Sequence, residues 1–364
     1  MARSTASWRE VGFNEAFQRL KLKAFEIPTK DYQVAGTYPI IDQGDGAVAG
    51  YIDREDPISD VPFIVFGDHT TIVKYVDQPC FIGSQGVVPL KARECYDPYF
   101  LYLMLGRTRI PALGYSRHFR ELENKTFPLP TLAEQRKIAE ILRTWDEAIE
   151  TAVAELKAKQ ELHQCLLQKA FSQGACIAAG EGKLLGEVVR LTKGKKPELY
   201  NEQFKGAVPY LVARFIRGEE PPQFASLSDK NAVSVAASDI VIICDGSNSG
   251  EMFTGLDGVL SSTMAKLIPT SSDFEKAYIR YFVGYNGLRL SEAQEGGAIP
   301  HLDREKLLNF RIPMLEKKEQ QLVIERLNAS ERAVQFVNER AELLRAQKRG
   351  LMQKLLTGEV RVAA

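Results

Sequence analysis

The chain has 364 residues, a length that fits two domains or slightly more. Apolar residues make up 45% and charged residues 26%, which excludes a disordered chain, a collagen and a disulfide miniprotein and leaves enough apolar material for a real core. Lys+Arg and Asp+Glu each number 47, so the chain is no polybasic binder, although local basic clusters remain open to it.

In chain order, the first segment, Met1 to Trp8, has no apolar stretch and reads as no secretory signal. Residues 1–130 carry short β-like runs at Pro62–Phe66 and Thr71–Val76, with a turn signal at Gln43–Gly46. Helical spacing follows near Asp97–Leu105, with Asp97 as N-cap and Pro98 in the first turn. Asp97-Pro-Tyr-Phe100 loosely matches an amino-methyltransferase motif, but the second proline and a glycine-rich cofactor loop are missing. Candidate DNA contacts in this segment are Lys74, Lys91, Arg107, Tyr115 and Arg117. Gly114-Tyr-Ser-Arg-His-Phe119 places a cation, an imidazole and two aromatics beside a glycine, a composition suited to a phosphate or a base edge. In that loop Gly114 and His118 are read as junction residues.

Residues 131–174 read as one long helix. Pro130 precedes it, and Thr131 with Glu134 spells a capping box. Two apolar rows recur every seven residues: Leu142, Ile149, Leu156, His163, Ala170 and Ile138, Trp145, Ala152, Lys159, Leu166. This is the seam of a coiled coil, on a rod of about 60 Å. A linker at 175–182 leads to a second segment, 183–313, with a buried-strand signal at Asp239–Cys244. Asp245–Gly250 lacks the Gly-Lys-Ser/Thr of a phosphate loop and reads as a turn. Candidate DNA contacts here are Lys193, Lys195, Lys196, Arg214, Arg217 and Asn248. Residues 314–358 form the second long helix, introduced by Pro313, and 359–364 a tail. Gly174 and Gly358 are the expected helix stops. No run of about 18 apolar residues crosses a membrane. The five widely spaced cysteines form no Cys-x-x-Cys pair and predict a reducing, cytoplasmic setting without a zinc site.

The second half repeats the first. Phe127 and Pro130 match Phe310 and Pro313 at an offset of 183, as Gly114 and His118 match Gly297 and His301. After a two-residue insertion the offset is 185, and Glu134-Gln135, Glu140, Leu142 and Gln168-Lys169 match Glu319-Gln320, Glu325, Leu327 and Gln353-Lys354. The same shift gives the second helix the rows Leu327, Val334, Ala341, Lys348, Leu355 and Val323, Ser330, Val337, Leu344, Leu351. The fold class is therefore α+β: two globular domains alternating with two long helices that pair with each other as a coiled coil, with an internal repeat. The histidines, His69, His118, His163 and His301, lie far apart, and no Asp…Glu-x-Lys nuclease core is visible. The chain reads as non-catalytic.

Two diverged domains, each followed by a Phe-x-x-Pro…Glu-Gln junction and a similar long helix, resemble the specificity (S) subunit of type I restriction–modification systems. Phe127–Gln135, Gly114–Phe119, Gly296–Leu302, Leu166–Lys169 and Leu351–Lys354 carry the likeness, which covers the whole chain. Lys317-Lys318, inserted after Pro313, depart from the first junction. The resemblance implies that each domain reads one half of a bipartite target in double-stranded DNA, and that the two helices pair as an antiparallel coiled coil, with a pseudo-twofold relation between the repeats, and set the unread spacer. It implies two methyltransferase (M) subunits carrying S-adenosylmethionine, and motor-nuclease (R) subunits using ATP and Mg for restriction. A specificity chain of a combined restriction–methylation enzyme and a coiled-coil scaffold without DNA binding are the alternatives.

Overall fold

The computed structural model describes residues 8–110, 117–172, 182–246, 248–292 and 301–363. Its backbone falls into two compact units: residues 1–152 with 340–364, and residues 153–339. The long helices run through this division, so each unit holds one globular domain and part of each helix. Neither unit is a domain alone, because the apolar face of the domain is covered by helix.

In unit 1, β1 (Arg9–Gly12) pairs antiparallel with β10 (Thr126–Leu129), bringing the start of the domain to its end. The short helix α1 (Phe13–Ala16) leads into β2 (Phe17–Arg19). An antiparallel sheet follows in the order β2, β9 (Val87–Ala92), β6 (Phe63–Gly67), β7 (Val73–Val76). Every residue of β6 is buried, because this strand is covered on both faces. One face meets α2 (Pro98–Arg107), α3 (Phe119–Glu123) and α4 (Leu132–Phe171), in a core containing Phe17, Ile64, Phe66, Phe100, Phe127, Ile138 and Leu142. The other face packs Phe63 and Val65 on a smaller mixed sheet, ordered β3 (Glu26–Ile27), β8 (Phe81–Gly83), β4 (Tyr38–Ile41), β5 (Gly50–Ile52). Asp97 caps α2 by accepting from the Phe100 N–H at 2.8 Å.

Unit 2 repeats the plan. β11 (Lys183–Leu184) pairs with β20 (Arg311–Ile312), and α5 (Leu185–Val188) leads into β12 (Val189–Lys193). The larger sheet runs β12, β19 (Met264–Pro269), β16 (Ile240–Ile243), β17 (Met252–Phe253), the order found in unit 1. It packs on α7 (Lys276–Glu292), α8 (Arg304–Leu308) and the long helix α9 (Lys317–Thr357). α6 (Ala213–Ile216) follows β13 (Ala207–Leu211). The smaller sheet runs β14 (Phe224–Ser226), β13, β18 (Gly258–Leu260), β15 (Ser234–Val235). Here the copies diverge: β3 precedes β4 and lies parallel to β8, whereas β15 follows β14 and lies antiparallel to β18.

The long helices depart from expectation at their ends. α4 spans Leu132–Phe171, and its expected stop Gly174 lies outside the described residues. α9 starts at Lys317 rather than 314, where the Glu319 carboxylate accepts the Glu316 N–H at 3.0 Å. The capping box at Thr131 is only half made. Thr131 Oγ1 accepts the Glu134 N–H at 3.3 Å, but the Glu134 carboxylate is taken by Arg361, with two bonds of 2.7 Å. A bidentate guanidinium outcompetes a single backbone N–H. Gly358 ends α9 at φ +72°. Every residue of the four heptad rows is buried or half-buried, His163, Lys159 and Lys348 included.

Candidate nucleic-acid interface

Both domains build the same corner where the larger sheet meets the segment before the junction. In unit 1, Asp68 follows β6 directly. Its carbonyl accepts the His118 N–H at 2.9 Å and lies 2.9 Å from His118 Nδ1, while its carboxylate accepts the Phe119 N–H at 2.8 Å. His118 is buried, and Phe119 stacks edge-on against Phe13. Arg117, next in the chain, is turned outward with its side chain 82% exposed and its Nε 4.0 Å from Asp68. In unit 2, Asp245 stands near the end of β16. Its carboxylate holds Lys193 Nζ at 2.8 Å and His301 Nδ1 at 3.0 Å, and the Leu302 N–H donates to the Cys244 carbonyl at 2.8 Å. Burial works against the Asp245 carboxylate, but the hydrogen bonds from Lys193 and His301 outweigh it and hold its pKa below the usual value.

These corners hold His118 and His301, which the sequence singled out as junction residues. Tyr115, Gly114 and Gly297 lie outside the described residues. Of the other candidates, Lys193 touches a corner, as Arg117 does. Lys195 and Lys196 follow Lys193 and are exposed. Gly194 makes this possible: a Cβ there would stand 2.6 Å from the Leu260 carbonyl oxygen and closer still to that of Ser261, so only glycine lets the lysine run cross β18.

Other candidates are committed elsewhere. Lys74 Nζ donates to the Gly46 carbonyl at 2.5 Å beside Asp42, with its side chain 10% exposed. Lys91 pairs with Asp60, and Arg217 with Glu251. Arg107 donates to the Leu356 carbonyl at 2.7 Å, tying α2 to the end of α9. Arg214 lies on the surface, 3.6 and 3.5 Å from Glu219 and Glu220. Asn248 is exposed in a turn closed by its carbonyl and the Glu251 N–H at 3.1 Å. No group of three metal-ligating side chains occurs among the described residues. No helix among them is long and apolar enough to cross a membrane.

The junctions are built by a pair of glutamines to which the sequence assigned no role. Gln135 is buried; its amide donates to the Pro130 carbonyl at 2.9 Å and its oxygen accepts the Asp97 N–H at 3.0 Å. Gln320 is equally buried; its oxygen accepts the Glu275 N–H at 2.8 Å and its amide reaches the Asp273 and Leu315 carbonyls. Pro313 takes part through its carbonyl, 3.3 Å from the Tyr278 hydroxyl. Each glutamine spans the gap between the start of a domain helix and the start of a long helix. Their identity in both copies was the available signal, as was the Asp–His corner at the end of each central strand.

The model for the type I restriction modification DNA specificity domain matches residues 14–159 and 181–345. The MjaVIII specificity subunit of Methanocaldococcus jannaschii is 32% identical over 174 residues, 48% of this chain and 41% of that protein. The chain thus aligns with less than half the length of that relative. The EcoR124I/EcoR124II specificity subunit of Escherichia coli is 24% identical over 339 residues, 83% of this chain and 81% of that protein. In fold, the chain is similar to a type I restriction-modification S subunit from M. genitalium, with a TM-score of 0.63 over 98% of both chains at 15% identity.

Proposed function

The chain belongs to the type I restriction modification DNA specificity family, and from that membership we propose that it selects the DNA target of a methyltransferase and catalyses no step itself. Each domain reads one half of a bipartite target in double-stranded DNA. The observation that carries this reading is the doubled corner: an aspartate and a histidine brought together at the end of the central strand of each larger sheet, with exposed cations beside them. Arg117 in unit 1 and Lys193, Lys195 and Lys196 in unit 2 are the proposed contacts at these corners. One exposed cation suits base reading, and a lysine run suits phosphate contact.

The two helices pair antiparallel and set the spacer. Supporting this, Ile138 and Leu142 early in α4 share a core with Leu355 and Leu356 late in α9. Leu167 and Phe171 late in α4 share a core with Ile324 and Leu327 early in α9. Two methyltransferase subunits bind the complex. Their support is a repeated feature: a cleft of about 540 Å³ beside Gly106, Asp146 and Lys348 has a counterpart of about 590 Å³ beside Gly284, Glu331 and His163. In unit 2, Leu322 and Phe336 of α9 also lie open, 54% and 65% exposed and two heptads apart. S-adenosylmethionine belongs to those subunits, and ATP and Mg to motor-nuclease subunits that join for restriction, in the cytoplasm.

The test is methylation mapping of DNA from cells expressing the partner methyltransferase with and without this chain. A bipartite methylated motif that disappears with the chain is the expected result. Arg117→Ala is expected to relax one half-site and spare the other. Equal weakening on every sequence assigns Arg117 to phosphate instead. Methylation that ignores the chain overturns the proposal.

A further inference from the structure

Each globular domain meets the long helices through a carboxylate that gathers a tyrosine and a cation. In unit 1 this is Asp146 of α4. It accepts the hydroxyl of Tyr99, on α2, and the ammonium of Lys348, on α9. One turn earlier Arg143 lies over the Tyr99 ring at 4.2 Å and donates to the Tyr75 hydroxyl at 2.7 Å. In unit 2 the carboxylate is Glu331 of α9. Arg280 of α7 grips it at 3.2 and 2.9 Å, and the hydroxyl of Tyr281 reaches it at 2.8 Å and Asn328 at 2.7 Å.

These are the same place twice. Asp146 and Glu331 are 185 residues apart, as are Arg143 and Asn328, and His163 and Lys348. That is the offset that aligns Glu134-Gln135 with Glu319-Gln320. Both tyrosines are buried, and burial with the adjoining carboxylate pushes their hydroxyls up, so each stays a donor. The apolar core around the unit 1 joint, which includes Phe100 and Leu142, has no preferred direction of contact and tolerates sliding. A charge-assisted hydrogen bond weakens steeply away from its distance and angle. The carboxylate cluster is therefore the part of each joint that fixes an angle.

We propose that Asp146 and Glu331 are positioning residues that set the angle at which each recognition domain is carried on its helices, and that this angle decides which spacing between half-sites is accepted. The inference rests on the specificity reading above. Its test uses the full chain expressed with its methyltransferase partner, on a DNA library holding both half-sites at every spacing across one helical turn. Asp146→Asn and Glu331→Gln keep an acceptor but lose the charge. Methylation at the neighbouring spacings is expected to rise roughly ten-fold, the equivalent of one lost charge-assisted bond, while the bases of both half-sites stay the same. Tyr99→Phe and Tyr281→Phe, which keep the ring, are expected to broaden the spacing less, and they carry the test where a charge variant fails to fold. A folded variant of either kind with an unchanged spacing preference overturns the inference, as does a change in the bases read. Absence of chain-dependent methylation in the wild type overturns the specificity reading itself, and the inference with it.

Discussion

In unit 1 the carboxylate at the joint draws its cation from the other long helix, whereas in unit 2 it draws it from the recognition domain. Asp146 takes Lys348 of α9, so α2, α4 and α9 meet at one oxygen pair. Glu331 takes Arg280 of α7, which leaves His163 of α4, at the position equivalent to Lys348, without that role. His163 Nδ1 is buried and meets no hydrogen-bond partner among the described residues. The duplication has retained the carboxylate, while the tyrosine and the cation come from different positions in the two copies. A half-buried carboxylate without a cation is costly whichever helix supplies the charge, so what is kept is the pairing and not the residue. The helix starts teach the same lesson. Glu134 is tied down by the C-terminal tail through Arg361, while its counterpart Glu319 caps its own helix at Glu316.

The sharpest way to break the equivalence is at the lysine run. Six residues after α5 stands Gly194; six residues after α1 stands Leu22, half-buried and unobstructed enough to carry a full side chain. Gly194→Ala drives a methyl group into the Leu260 and Ser261 carbonyls and is expected to cost about 3 kcal/mol in urea unfolding, with the loss confined to unit 2 by hydrogen exchange. Next in size is Arg361→Ala. The Glu134 side chain is 5% exposed, so losing the guanidinium strands a buried carboxylate and is expected to cost about 2 kcal/mol. Glu319→Ala, which removes only a local cap, is expected to cost about 1 kcal/mol or less by the same measurement.

The sequence exposed the elements whose physics is periodic or repeated. The heptad rows, the proline junctions and Asp97 as a helix cap were all legible, because spacing and local hydrogen bonding decide them. Long-range partners were not. Nothing near Glu134 in the sequence announces Arg361, 227 residues away, so the capping box was read from the local pattern alone. Lys74 reads as an available cation but is spent on the Gly46 carbonyl, because β7 brings it beside the turn after β4. The doubled carboxylate was within reach: shifting Asp146 by 185 lands on Glu331, and shifting His163 lands on Lys348. What the shift could not supply was Arg280, which comes from α7 and has no matching cation in α2. In the site itself, the exposed positions of Arg117, Lys195 and Lys196 depend on the Asp68 and Asp245 corners, which only the paired strands bring together.

The smallest expected effect separates the two joints by pH. His163 faces Tyr281 and Arg280 on α7 and Glu331 on α9, in a cleft that Glu251 and Arg289 also line. Burial lowers its pKa; Glu331 opposes that and Arg280 adds to it, and the net shift is downward. The unfolded chain, with a histidine pKa of about 6.5, then binds this proton more readily than the folded one. The contribution of neutral His163 is fully present above about pH 6.5 and is lost as pH falls below it towards the lowered folded value. Glu331 is shifted the same way: burial raises its pKa, but the bonds from Arg280 and Tyr281 outweigh it. Its loss begins only in the ordinary carboxylate range near pH 4.3, so the window between about pH 6.5 and 5 belongs to the histidine. Urea unfolding of the full chain at pH 7.5 and pH 5.5 is expected to show an acid-side loss in unit 2 that His163→Leu removes. The contacts described at the Asp146–Lys348 joint include no histidine, so the helix segments around it are expected to keep their hydrogen-exchange protection across that window. An acid-side loss that survives His163→Leu would mean that the two joints do not differ in the way their cations suggest.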